Sequence, residues 1–473
     1  MKKFFIWSIV LLVVTSLLVS FSMVSCKTKT TAETTTAATT TAAAETTAAA
    51  ETTAAETVKV EKEKVTLVVW KFASNTEEMA EYWDIVEKGY VEKNPNVELI
   101  VEDTPPFDVG TVFQTAAAAH RGFDVIQQWA GMWLFPFNDV LVDLKELGVT
   151  DKEIEEFAAP ITRYFNFDKN DKLLAYPVGQ IGVGHIKYNK QMFKDVGITW
   201  TPTEENKLRM TWDEFLDACK KLKAGGYTPI GMGAEGGSMY LWWWRHFLYQ
   251  NMPSEDSFDK FYNGEVKWND PIVVKSFDKI KELYDAGYFT EGANSISWGD
   301  GLQLLADKKC AMEMYYGVGE DKAVLENLGD DCGLMLVPVF NPDSPWAYGV
   351  QIWEGGPFHI PTWSENPEVA LDFARFVSNK ENSDLLYSLT NAIPARLDWD
   401  KSLMKTSQEK QLVDFAGNYK NIPDITTVAM PGEVDSEFRA LMIPFVEGKY
   451  TSQQMADIMQ AKAEKIEWQW EKK

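Results

Sequence analysis

The sequence predicts an α/β protein of two lobes, each a mixed, mainly parallel sheet flanked by helices. Three observations predict it. The chain has 473 residues, more than one hydrophobic core ordinarily organises. Strand and helix signals alternate from residue 65 onward, the order that gives parallel strands joined by helical crossovers. Apolar residues make up 45% and charged residues 25%, a globular balance with enough apolar surface for large cores.

Each element has its own signal. Val65 to Trp70 is a short β-branched strand. Asn75 with Glu78 reads as a capping box, and Met79, Trp83, Val86 and Tyr90 recur at helical spacing until Asn94-Pro95 stops the helix. Val97 to Val101 is a second strand, Phe113 and Ala116 to Ala119 suggest a helix, and Phe123 to Ile126 is a third strand. Thr211 with Glu214 caps another helix, with Phe215, Leu216, Cys219 and Leu222 on one face. Asn366-Pro367 opens the next, with Val369, Phe373, Phe376 and Val377 inward, since proline suits the first turn. Thr451 with Gln454 opens the last, carrying Met455 and Ile458.

The first 25 residues read as a targeting signal. Lys2 and Lys3 precede an uncharged apolar run from Phe4 to Val19, and Ser22-Met23-Val24-Ser25-Cys26 resembles a bacterial lipoprotein signal in which the cysteine receives the lipid. An uncleaved membrane anchor is the alternative, and both place the protein outside the cytoplasm. Residues 26–64 join this end to the first strand. Within them, 27–57 are almost wholly Thr, Ala and Glu, with no large apolar side chain to offset the entropy of ordering. This is the composition of a flexible stalk, spanning roughly 30 Å as a coil.

Acidic residues outnumber basic ones 70 to 46, a net charge of −24 that repels nucleic acid and keeps an exported protein soluble. The aromatic load of 18 Trp, 17 Tyr and 26 Phe supplies flat, amphipathic surface. Of the cysteines beyond Cys26, Cys219 falls on an apolar helix face, while Cys310 and Cys332 either pair or stay free.

The motif order resembles the family 1 extracellular solute-binding proteins, the relatives of maltose-binding protein. It is carried by Val65-Thr66-Leu67-Val68-Val69-Trp70 with Glu92-Lys93-Asn94-Pro95, by Gly122-Phe123-Asp124-Val125-Ile126, and by Ala175-Tyr176-Pro177 leading to Tyr188-Asn189-Lys190-Gln191-Met192-Phe193. Thr211-Trp212-Asp213-Glu214-Phe215 follows, then Ala306-Asp307-Lys308-Lys309-Cys310-Ala311-Met312, and Gly355-Gly356 before Asn366-Pro367-Glu368. Cys310 with its lysine pair departs from the family's usual Gly-Lys-Ala, and Phe123 replaces a common proline.

The resemblance implies the two-lobed type II periplasmic-binding-protein fold, with residues 65–178 and 345–386 in one lobe and 179–344 and 387–470 in the other. It implies a carbohydrate bound between the lobes, hinge closure on the ligand, and delivery to the permease of an ABC transporter. The expected partners are a sugar, permease subunits and the membrane, through the lipid on Cys26. The chain is expected to be a monomer that binds no nucleic acid and needs no cofactor or metal.

A sugar presents C–H faces and a hydroxyl rim, so its receptor needs flat aromatics beside amides, carboxylates or Arg. Trp70, with Lys71 and Asn75 after it, ends the first strand, where the resemblance puts a cleft loop; a core Trp70 is the alternative. Gln127-Gln128-Trp129 follows the third strand, at the family's contact position. Trp242-Trp243-Trp244-Arg245 cannot all face inward on a helix, where successive residues point about 100° apart. Trp243 or Trp244 with Arg245 is therefore expected at the cleft, against a wholly packed cluster. Trp298 lies in a turn-rich stretch, Tyr315 and Tyr316 follow a strand at the family's stacking position, and Trp353 and Glu354 precede two glycines. Arg396 could fork onto hydroxyls or pair with a carboxylate.

Acid and Trp also suit a secreted glycosidase, but no local signature marks a catalytic pair. Gly236-Gly237-Ser238 lacks the last glycine of a nucleophile elbow, since Tyr240 stands there. Gly231-Met232-Gly233-Ala234-Glu235-Gly236 matches a dinucleotide fingerprint but reads as turn glycines in an exported chain. The four histidines, His120, His185, His246 and His359, are scattered. The rival ligands within this fold are polyamines, phosphorylated alcohols and peptides.

Overall fold

The computed structural model describes residues 63–74, 76–104, 109–133, 135–157, 166–168, 170–315 and 321–466. The targeting signal, Cys26, the Thr/Ala/Glu segment, Asn75 and Tyr316 lie outside the described residues, as does the side chain of Tyr315.

Three sheets form the framework. In the first, β1 (Val65–Phe72) lies between β2 (Val97–Thr104) and β3 (Val125–Gln127), parallel to both, and β10 (Phe358–His359) adds antiparallel to β3. This is the predicted β-α-β-α-β order, with helices Glu77–Lys93 and Val109–Ala119 as its crossovers. Leu67, Val69 and Lys71 of β1 are buried while Val68, Trp70 and Phe72 alternate as half-buried, so one face is core and the other is partly open.

The second sheet holds β9 (Val350–Glu354) between parallel β11 (Asn421–Pro423) and antiparallel β4 (Ile181–Val183). The third runs β6 (Ile230–Gly231), β7 (Met312–Tyr315), β5 (His185–Asn189), β8 (Cys332–Met335), with only β6 and β7 parallel. Parallel pairing thus predominates in the first sheet alone. In the third, β5 runs against both of its neighbours, so antiparallel pairs outnumber parallel ones.

Helix starts follow their chemistry. Thr211 and Thr451 form full capping boxes with Glu214 and Gln454. Pro367 occupies the first turn of helix Pro367–Val377, where Phe373 and Val377 are buried while Val369 and Phe376 are half-buried against the core. One cap differs from expectation. Thr76, not Asn75, caps helix Glu77–Lys93, accepting from Met79 N, because Thr76 has the extended backbone that an N-cap requires. Cys219, Cys310 and Cys332 are buried and in no disulfide, so Cys310 and Cys332 do not pair. Burial pushes the Cys219 thiol up.

Candidate ligand-binding site

The Trp242–Arg245 run folds as part of helix Ser238–Asn251, which Gly237 opens in the left-handed region at φ 79°. Trp243 packs among Phe215, Phe247 and Phe289 with ring centroids 5.9–6.2 Å away. Trp244 stacks on Trp268 at 5.6 Å and Phe277 at 5.8 Å, and touches Phe438 at 4.7 Å. Their exposures are 2% and 0%, so the expectation that either indole faces the ligand is corrected: both belong to an aromatic core. Arg245 is corrected likewise. It is 3% exposed, and its guanidinium pairs with Asp424 and donates to Thr426, holding helix Ile425–Val428 in place. The rotation argument still locates the outward residue. Trp242 is half-buried and meets Trp298 edge-on at 6.1 Å. Trp298 starts helix Trp298–Gln303, capped by Ser297, rather than lying in a turn before it.

Lys71 alternates onto the face of β1 opposite Phe72. There it is 4% exposed, paired with Asp103 and 5.3 Å from the Trp83 ring. That corrects its placement at the cleft, because its charge is already matched on the helical side of the sheet. Trp70 is half-buried, 4.8 Å from Phe123, and its indole edge crosses Gly122. Arg396 takes the structural alternative. It binds Asp398 and Glu156 and lies 5.8 Å from the Phe157 ring.

The residues that do come together are Phe72, Trp129 and Trp353. Phe72 ends β1, and its ring lies 4.8 Å from Trp129, which follows β3. Trp129 lies 5.6 Å from Trp353 on β9. All three are half-buried, so a row of rings joins the first sheet to the second.

Glycines make the room. A Cβ on Gly356, at φ 79°, would fall 2.4 Å from the Phe72 ring, and one on Gly182 would fall 1.8 Å from Trp353 Nε1. Gln127 ties the row's base together. It accepts from Phe72 N at 2.9 Å and donates to Gly356 O at 3.0 Å, and so serves the backbone.

Beside the row, polar atoms are buried without a hydrogen-bond partner: Gln128 Nε2, Gln180 Oε1 and Glu354 Oε1. Gln128 is fully buried, with its Oε1 accepting from Trp129 N at 2.7 Å. Glu354 accepts from Asn166 Nδ2 at 3.1 Å, and burial pushes its carboxyl up to about 8. It is therefore a neutral acid at pH 7, able to donate as well as accept. His359, behind Gln128, touches Gln128 O and Leu174 O, and burial lowers it to about 4.

Phe72 and Gln180 were not anticipated from sequence. A period-two reading of β1 would have paired Phe72 with Trp70, but Gln180 carries no local signal. Among the described residues, no group of three or more His, Cys, Asp or Glu side chains could hold a metal ion. None of the helices there is long and apolar enough to cross a membrane.

The α/β framework thus sets a half-buried ring row between two sheets with buried, unpaired amide atoms beside it, as a solute receptor would. Residues 73–384 match the bacterial extracellular solute-binding proteins, and the chain belongs to that family. It is similar to an sn-glycerol-3-phosphate-binding periplasmic protein of Brucella abortus, 28% identical over 176 residues, 35% of this chain and 37% of that one. It is 23% identical over 270 residues to the multiple sugar-binding protein of Streptococcus mutans, 54% of this chain and 58% of the relative. Both alignments span less than two thirds of the relative. Among solved structures, a chitin oligosaccharide binding protein superposes with a TM-score of 0.73 at 18% identity, over 85% of this chain and 98% of that one.

Proposed function

We propose that this protein is a carbohydrate receptor, most suited to an oligosaccharide, that delivers its ligand to an ABC transporter permease by hinge closure. The observation that carries the reading is the row Phe72–Trp129–Trp353 beside the unpaired Gln128 Nε2 and Gln180 Oε1. Rings cover the C–H faces of a sugar, and opening of the hinge would bring the buried Gln128 and Gln180 amides within reach of its hydroxyls. Two stacked rings, each removing about 100 Å² of apolar area, would contribute on the order of 5 kcal/mol. Micromolar affinity needs about 8 kcal/mol, so hydrogen bonds supply the remainder.

The electrostatics support a neutral ligand. Of the two cations expected at the cleft beside an aromatic, Lys71 pairs with Asp103 and Arg396 with Glu156 and Asp398, which leaves neither for a phosphate. Burial raises the Glu354 carboxyl to about 8, so a polyamine would meet no ready-made carboxylate there and would have to draw the proton off first. The name of one relative, a multiple sugar-binding protein, and that of a structural neighbour, a chitin oligosaccharide binding protein, point the same way, while another relative is named for glycerol 3-phosphate.

The proposed lobes are residues 65–178 with 345–386 and residues 179–344 with 387–470. The first sheet draws its strands from 65–127 and 358–359, the third from 185–335, in keeping with that division. The proposal includes a lipid on Cys26 holding a monomeric receptor to the outer face of the cell membrane, and no hydrolytic activity.

Titration calorimetry against oligosaccharides, spermidine and glycerol 3-phosphate tests the ligand. Heat with the amine or the phosphate, and with none of the sugars, would overturn the assignment. Release of reducing ends from a bound glycan would overturn the non-enzymatic part.

A further inference from the structure

We infer that a second small-molecule site lies at the outer edge of the third sheet, apart from the ring row, and that it takes an organic carboxylate. A recess of about 470 Å³ opens between β5, β8, the helix Lys190–Asp195, the loop 198–202 and the start of the helix Ser407–Asn418. That volume is in the range of small-molecule pockets.

Its floor is aromatic because the sheet permits it. Tyr188 of β5 lies directly across from Gly333 of β8, where a Cβ would fall 2.2 Å from the phenol ring. The Tyr188 ring meets Phe193 at 4.7 Å and Trp200 edge-on at 6.3 Å.

Charge and hydrogen bonding select the ligand. Among the described residues lining the recess there are two lysines, Lys190 and Lys194, and no acid, in a chain whose acids outnumber its bases 70 to 46. Lys194 is exposed at the rim, and the adjacent Asp195 accepts from Gln191 and Tyr227 instead. Lys190 donates to Asp330 O at 2.8 Å and has further donors to offer. Trp200 Nε1 is buried without a hydrogen-bond partner, and an indole N–H can only donate. A buried donor left unpaired is unfavourable, so an acceptor that reaches Trp200 Nε1 by a small shift of the indole would be favoured. An apolar floor, an unpaired donor and two cations without an acid together fit a ring-bearing carboxylate. A neutral sugar would gain no charge pairing from the two exposed lysines.

The probe is sodium benzoate, titrated into the purified protein at low ionic strength, with benzyl alcohol as its neutral match. Benzoate should bind one-to-one, much more tightly than the alcohol. Trp200→Phe, which keeps a ring but deletes the N–H, should weaken benzoate about tenfold. Lys194→Gln, at an exposed position that does not threaten folding, should weaken it and flatten its salt dependence. Trp353→Ala should leave benzoate binding unchanged, which separates this site from the sugar reading. Absence of benzoate binding, equal affinity for the alcohol, or full affinity in Lys194→Gln would each overturn the inference.

Discussion

Trp353 lies flat across Gly182, its register partner on the neighbouring strand, where a methyl group would fall 1.8 Å from the indole nitrogen. The ring's position is thus fixed by the absence of a side chain opposite it. Gly182→Ala should push Trp353 out of line with Trp129 and weaken ligand binding about as much as Trp353→Ala does, at least tenfold, or about 1.4 kcal/mol. The overpacking itself should lower stability by about 1–3 kcal/mol. Calorimetry beside urea melts separates the two effects. Unchanged affinity in a folded Gly182→Ala would remove Trp353 from the binding surface.

The buried tryptophans make the opposite prediction. Trp243 and Trp244 fill an aromatic core, so Trp243→Ala or Trp244→Ala should cost about 3–5 kcal/mol of stability. Asp424→Ala leaves the Arg245 guanidinium buried and should cost a similar ~3–5 kcal/mol. Any of the three that still folds should keep near-normal ligand affinity, measured well below its melting temperature. A large affinity loss with unchanged stability would return these residues to the site.

The contrast between the two tryptophan groups shows what was legible in the sequence. Period-two and period-3.6 patterns, capping boxes and stop signals gave the first sheet, its crossovers and most helices, because local chemistry sets them. Trp129, Trp353 and Glu354 were also reachable, since they follow strand ends or precede glycines. The Trp242–Arg245 run misled for a physical reason. One helix turn can hide two indoles and a guanidinium only when distant elements supply Trp268, Phe438 and Asp424, and no local pattern announces those partners. Lys71 misled in the same way, while Arg396 took the carboxylate pairing left open for it, because Asp103 and Glu156 reach them across strand pairing and chain return.

The anchor is tested apart from the fold. Cys26→Ala should move the cleaved protein from the membrane fraction to the soluble one, and metabolic labelling with a fatty acid should lose its signal. Retention of a cleaved, unlabelled product at the membrane would sink the lipid proposal. Deleting residues 27–57 should leave ligand affinity unchanged while the protein stays membrane-bound, because the ring row draws on residues from 72 onward.

Glu354 supplies a pH signature. It is buried in the folded protein, with a single hydrogen bond from Asn166, and its carboxyl is raised from 4.5 to about 8. In the unfolded chain the same group ionises near its ordinary value. Between pH 4.5 and about 8 the folded state therefore holds a proton that the unfolded state has released, and stability falls as pH rises. The contribution is complete below pH 4.5 and lost once pH passes about 8, on the order of 5 kcal/mol in all. Glu354→Gln is neutral at every pH and keeps the shape, so it should abolish this part of the slope and be the more stable protein at pH 8. Urea melts of both proteins across the window measure the difference directly. Parallel slopes would mean that Glu354 is ionised in the folded state, and would reopen the case for a cationic ligand beside Trp353.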